Sequence, residues 1–472
     1  MARITRRRAL SGSSTAAFAA IPAVRATRHD GQSSPLYGVP CGRAKGIAEG
    51  GSLIVVDFAS PTGVTVVPQL WGVAMAGTGW KENYESPAWR SAVRALNFQF
   101  VRQHLEGLLG SIFPFYNASP NWAAIAPFVK YVRAVFPNAQ LQVGGAWFPD
   151  YMNGRNGNWR TASAQDINWA VSMWTQLANY LTAQGVTVTY WDGIFNEPDL
   201  QGLADTRDTT VSAAVVAAVS SAVFAALRQI NPDWIFTGPC TAWWNPAYNA
   251  AINQAFPALA YNSFHHYNGA APDWRNVITG QGVFYGNQPF PTDRRPGLIN
   301  EYNQDVNGGG PNGSMQAAVW CAVQLMVGAA TQNLAIGGYW QVSPDARFPG
   351  VTQDGIAYAP MHLLSCAGQH VIGTAVQCSN PGTSPRASVN VYTLACKRGS
   401  GFGILLTNYG SRAHSGRITL QNWPGNPTGN GTIEMWQQFG HDRAGTVAIL
   451  KVERGVIPHI TLPETSNTIL YT

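Results

Sequence analysis

Two glutamates stand where short apolar runs end. Glu197 closes the stretch Trp191-Asp192-Gly193-Ile194-Phe195-Asn196-Glu197-Pro198, and Glu301 closes Leu298-Ile299-Asn300-Glu301. Two carboxyl groups about 5 Å apart can cleave a glycosidic bond with retention: one protonates the leaving oxygen while the other attacks the anomeric carbon. With Glu301 as the attacking group, its charge raises the pKa of Glu197 and keeps it protonated. Once Glu301 is esterified that charge is gone, and Glu197 can act as the base. This chemistry needs no metal, and His265-His266 lack a third ligand at helical or hairpin spacing, so neither metal nor cofactor is expected.

Other polar and aromatic residues sit at comparable positions. Arg102 and His104 share a strand face by the period of two, as do His265 and Tyr267. Arg102 is the natural partner to keep Glu301 ionised, and the Tyr267 hydroxyl can orient one of its oxygens. Trp340 offers a flat face to the C–H side of a sugar ring. Trp147, and with it Trp243 and Trp244, are expected to line outer subsites of a cleft.

The elements that must position these groups read as repeated βα units. Apolar runs at 70–74, 98–103, 141–145, 190–195, 234–238, 259–264, 297–300 and 336–340 alternate with segments of helical period. About 39 residues per unit suits a (β/α)8 TIM barrel, with a doubly wound open sheet as the rival. Reacting groups of such a barrel collect at the C-terminal strand ends, and the 104 residues between the two glutamates correspond to about three units. One helix is expected from Ser119-Pro120 to Phe136, and another begins at a capping box formed by Ser163 and Asp166. After His370 the pattern becomes alternating strands with turns, which reads as an accessory C-terminal β-sandwich domain. The expected organisation is an export signal (1–26), an N-terminal segment (27–68) partly joining the sandwich, the barrel (69–370) and the sandwich (371–472).

Asn196-Glu197-Pro198 resembles the Asn-Glu-Pro of glycoside hydrolase clan A. There the Glu is the acid/base and the Asn contacts the sugar 2-hydroxyl. Val101-Arg102-Gln103-His104 followed by Gly107 is similar to the Arg-x-His-Gly stretch of family 39, with two residues inserted before the glycine. His265-His266-Tyr267 resembles the clan's His-x-Tyr, and Tyr339-Trp340 falls where the clan has a tryptophan under the reacting sugar. With Glu301, these four motifs make five features that occur in the clan's order over about 270 residues. The resemblance implies a retaining hydrolase with Glu197 as acid/base and Glu301 as nucleophile. Its substrate class would be plant or bacterial extracellular polysaccharide or oligosaccharide.

Composition fits this reading. The 472 residues are 46% apolar and 11% charged, with 17 Trp and 49 Gly, a globular rather than disordered profile. The net charge of +6 owes five arginines to the first 26 residues; without them 25 basic residues face 24 acidic ones, and no nucleic-acid partner is implied. That Arg-rich, then apolar start reads as a twin-arginine-like export signal, placing the protein in the periplasm or outside the cell. Six cysteines permit disulfides without dictating them. Beyond the signal no apolar run is expected to reach the ~18 residues of a membrane span. Two alternatives share the barrel: a catalytically silent carbohydrate-binding protein, and a transglycosylase whose glycosyl-enzyme is captured by a sugar hydroxyl.

Overall fold

The structure is a computed structural model that describes residues 53–75, 80–146, 162–199, 211–267, 295–303, 312–331, 333–343, 348–379, 390–440 and 442–472. The export-signal segment and Trp147 lie outside the described residues. Strand β1 (Ile54–Val66) precedes eight parallel strands that close into a barrel in sequence order. These are β2 (Gly72–Met75), β3 (Phe100–Glu106), β4 (Gln140–Ala146), β5 (Tyr190–Trp191), β6 (Ile235–Thr241), β7 (Tyr261–Tyr267), β8 (Gly297–Asn303) and β9 (Leu334–Trp340). β9 pairs back onto β2, so the sheet is a TIM barrel and not an open one.

Local chemistry moves some boundaries. Pro68 starts a 3-10 turn over Pro68–Trp71, so the first barrel strand begins at Gly72 instead of Leu70. β5 keeps only two residues in the ladder, after which one bridge, Ala146 to Phe195, ties the chain to β4. The helix expected from Ser119 starts at Ala126, where Pro127 occupies the first turn and a 3-10 turn (Trp122–Ala124) comes before it. Ser163 and Asp166 do form a capping box at the start of the helix Ala164–Ala183.

The period of two sorts the barrel interior into layers. Phe100, Tyr190, Leu298 and Ile336 cluster as an apolar floor, with Ile235 and Tyr261 against it. Two residues further along the same strands come Arg102, Asp192, Asn300, Thr237 and Ser263, which bond to one another as a polar layer. Another step along β3, β7 and β9 brings His104, His265 and Trp340 to the mouth.

The second sheet has nine strands in the order β15-β14-β17-β12-β11-β10-β1-β13-β16. Its further members are β10 (Gly373–Cys378), β11 (Val391–Arg398), β12 (Gly401–Asn408), β13 (His414–Gln421), β14 (Gly431–Phe439), β15 (Asp442–Val452), β16 (Val456–Leu462) and β17 (Ser466–Tyr471). One face gives Ala395, Ile404, Leu406 and Leu470 to a core shared with Ile418, Ile457 and Ile460 from the far strands, which makes the sheet fold over itself as a sandwich. The alternate residues Leu394, Cys396, Leu405 and Ile469 join the barrel core instead. The described residues, from 53 to 472, accordingly belong to one compact unit.

The helix Ala213–Ile230 corrects one expectation: its 18 residues have a mean hydropathy of 1.7, enough in length and composition to cross a membrane. Its buried face, Val215, Val216, Val219, Val223, Phe224 and Leu227, packs into the barrel core. Because the sheet and barrel share a core through Leu405, thermal unfolding should be a single transition. Leu405→Ala should lower stability by about 2–5 kcal/mol, and calorimetry showing two separate transitions would contradict the shared core.

Candidate active site

The site is built around one guanidinium. Arg102, fully buried on β3, donates from Nη1 to Glu301 Oε1 at 2.6 Å and from Nε to Asp192 Oδ2 at 3.2 Å. Its Nη2 reaches Asn196 Oδ1 at 3.4 Å and Cys240 Sγ at 3.3 Å. Burial works against the guanidinium charge, but the facing side chains Cys240, Glu301 and Asp192 more than offset it and raise the Arg102 pKa. Gly145, at φ +62°, makes room for this fork, because a Cβ there would collide with the guanidinium.

Asp192 is the second anion of the site. Its Oδ1 accepts from Thr237 Oγ1 at 2.8 Å and Ser263 Oγ at 2.7 Å, and its Oδ2 also accepts from Asn300 Nδ2. Four strands thus converge on a carboxylate that sits one residue past the end of β5.

Glu301 lies within β8 with only 6% of its side chain exposed, and both of its oxygens are engaged. Oε1 takes Arg102, while Oε2 accepts from Tyr267 Oη at 3.1 Å and lies 3.3 Å from His265 Nδ1. Burial, then the charges of Glu301 and Glu197, push the Tyr267 pKa well above its ordinary value, so the hydroxyl remains a donor. His104 Nε2 stands 3.8 Å from Glu301 Oε1, beyond hydrogen-bond reach, and its ring meets Trp340 edge-on at 5.6 Å.

Glu197 is on the connection after β5 and its side chain is 27% exposed. Its backbone is in the left-handed region at φ +48°, costly for a residue with a Cβ, and its N–H donates to Cys240 O at 2.9 Å. Its Oε1 lies 2.9 Å from His265 Nδ1. Glu197, His265 and Glu301 offer atoms that all lie within 4.8 Å of one another, a spacing that could hold a cation. Arg102 already supplies a positive charge at Glu301.

Trp340 is buried at the end of β9 with Ala74, Phe348 and Tyr267 around it. Trp243, on the connection after β6, is 49% exposed, whereas Trp244 is buried edge-on against Phe264 and so is a core residue and not a subsite. Among the described residues Cys240, Cys321, Cys366, Cys378 and Cys396 are free thiols.

Neither the known protein-family models nor the curated proteins match this chain. Solved structures do. A glycoside hydrolase family 30 subfamily 8 xylanase from Clostridium acetobutylicum superposes with a TM-score of 0.63 at 14% identity, covering 89% of this chain and 98% of its own. A family 39 enzyme from Xanthomonas axonopodis pv. citri gives 0.59 at 15% identity, with 89% and 96% covered. A family 51 α-L-arabinofuranosidase from Bifidobacterium longum gives 0.60 at 13% identity, with 89% and 99% covered. The fold is shared.

Asp192, Cys240 and Asn300 are site residues that strand-end reasoning passed over. A signal existed for Asp192, an acid one period of two beyond the apolar Tyr190, at the depth where Arg102 needs a partner. Asp199 is a further case: it is buried, accepts from Ala242 N at 2.8 Å and Asn245 Nδ2 at 3.4 Å, and thereby ties the Glu197 connection to the one after β6.

Removing one partner of a buried ion pair strands the other, so Asp192→Ala should cost about 3–5 kcal/mol in denaturant unfolding. An unchanged midpoint would contradict the role given to this anion. Burial raises the Asp199 pKa from 3.8 to about 6. Between those values the folded chain holds the extra proton, so this group's contribution to stability falls as pH rises. The stability of wild type relative to Asp199→Asn should therefore drop by roughly 2 kcal/mol from pH 4 to 7, and a flat difference would rule this out.

Proposed function

We propose that the protein is a retaining glycoside hydrolase acting on plant or bacterial extracellular polysaccharide or oligosaccharide, with Glu301 as nucleophile and Glu197 as acid/base. The observation that carries this reading is the unequal surroundings of two carboxyl groups whose atoms lie within 4.8 Å. Arg102, Tyr267 and His265 hold Glu301 by both oxygens, as suits a group that must remain ionised and aimed. Glu197 is more open to the mouth and faces His265, as suits a group that exchanges protons with a leaving group and then with water.

In the first step a Glu301 oxygen bonds to the anomeric carbon while the glycosidic C–O bond breaks and its oxygen takes the Glu197 proton. In the second, water attacks the same carbon, gives a proton to Glu197 and releases Glu301, so the anomeric configuration is retained. Arg102 and Tyr267 keep the carboxylate oriented through both steps. Asn196 has its oxygen turned to Arg102, which favours its amide nitrogen as the donor to a sugar 2-hydroxyl. Trp340, with His104 at its edge, is the surface for the reacting sugar, and exposed Trp243 suits a subsite beyond it; Trp147 is assigned the same outer role from its place after β4. The neighbours named as xylanase and arabinofuranosidase support a polysaccharide substrate, and the Arg-rich N-terminus supports a periplasmic or extracellular location.

The test is a panel of extracellular polysaccharides and aryl glycosides. Wild type should release sugar of retained configuration. Glu301→Gln should lose nearly all activity, and Glu197→Gln should lose about 10²–10⁴-fold. For Glu197→Ala, azide should restore turnover of an activated aryl glycoside as a glycosyl azide of retained configuration. A wild type that binds glycans without cleaving any would favour the carbohydrate-binding alternative.

A further inference from the structure

Cys240 is a buried thiol that the two-step reaction does not use, yet it touches four site residues. Its Sγ accepts from Arg102 Nη2 at 3.3 Å and Asn300 Nδ2 at 3.2 Å, and its S–H has two acceptors in reach, His265 Nε2 at 3.4 Å and Asn196 Oδ1 at 3.5 Å, the second of which already accepts from Arg102. Its backbone is left-handed at φ +64°, pinned by N–H to Ser263 Oγ at 3.0 Å and by its carbonyl to Glu197 N–H. A glycine would adopt that backbone with less strain, so the side chain present there invites an explanation.

His265 provides it. Burial lowers the imidazole pKa to about 4, so near neutral pH the ring carries one N–H, on either nitrogen. Nδ1 faces two carboxyl groups, Glu197 Oε1 at 2.9 Å and Glu301 Oε2 at 3.3 Å. With the hydrogen on Nε2, the Nδ1 lone pair would oppose the Glu301 anion and could be satisfied only by the proton of Glu197, the proton the leaving group needs. With the hydrogen on Nδ1, the ring donates to both carboxyl groups and Nε2 needs a donor. The thiol is the group beside it, and burial, with further help from Asp192, keeps its pKa well above the ordinary value.

We propose that Cys240 is a positioning residue: its S–H donates to His265 Nε2, fixes the Nδ1–H tautomer, and so leaves the acid proton of Glu197 available to the glycosidic oxygen. The inference rests on the proposed roles of Glu197 and Glu301, but its first readout does not require activity.

The experiment is ¹⁵N NMR of the imidazoles in full-length wild type, Cys240→Ala and Cys240→Ser, with His265 assigned by its loss in His265→Gln. Kinetics follow on one sugar carrying good and poor leaving groups. Wild type should show a protonated Nδ1 and an unprotonated Nε2. Cys240→Ser, which keeps a donor, should preserve both. Cys240→Ala should shift ring protonation toward Nε2 and lower kcat at least tenfold for poor leaving groups, while a leaving group that needs no protonation is spared. An Nε2–H in wild type would overturn the proposal even if the Ala variant failed to fold. So would a folded Ala variant with unchanged ring shifts and unchanged leaving-group dependence. A wild type lacking glycosidase activity would refute the proposed function, and the ring shifts would still report on the tautomer.

Discussion

The constraint on which the rest of the site depends is the single guanidinium of Arg102, shared between Asp192 and Glu301 inside the barrel. A cation there is tolerable only because two anions and several polar side chains surround it, and each anion is tolerable only because of the cation. Phe100 sits beneath the guanidinium in the apolar floor and His104 stands above it at the mouth. The alternation of one strand thus sets floor, ionic layer and mouth in register, and Tyr190, Asp192 and the Glu197 connection repeat the progression two strands away, beyond β4.

This arrangement makes the two glutamates chemically different without requiring different residue types. Glu301 belongs to a strand and to the ionic layer, so its position is fixed by the barrel itself. Glu197 lies beyond the shortened β5, held by its own left-handed backbone, by Cys240 O, and by the Asp199 tether two residues on. Rigidity on one side and a tethered connection on the other match the proposed tasks of the two groups, a nucleophile that must not move and an acid that must meet both leaving group and water. The second sheet adds to this indirectly: Leu405 and Ile469 cover helices of the barrel, while the opposite face of that sheet closes its own core.

Much of this was legible in the sequence, because a closed parallel barrel leaves period-two and period-3.6 patterns that its strands and helices cannot avoid. The eight strands, the approach of Arg102, His265 and Tyr267 to the glutamates, and the place of Trp340 beside His104 and Tyr267 follow from that periodicity together with strand-end position. Asp192, Cys240 and Asn300 escaped notice because their importance is set by what lies across the barrel, which local pattern does not encode. Trp244 was misread for a related reason: adjacent tryptophans look alike in sequence, but one faces solvent and the other packs on Phe264. The helix Ala213–Ile230 shows the converse, an apolar composition that packing in the barrel explains.

The most direct test of the central claim is mechanism-based labelling with a panel of activated 2-deoxy-2-fluoro glycosides, followed by peptide mass spectrometry. The account predicts one covalent glycosyl adduct, on Glu301, accumulating because the fluorine slows the second step. An adduct on any other residue, or hydrolysis of the corresponding unfluorinated substrate with inversion and no adduct, would contradict it.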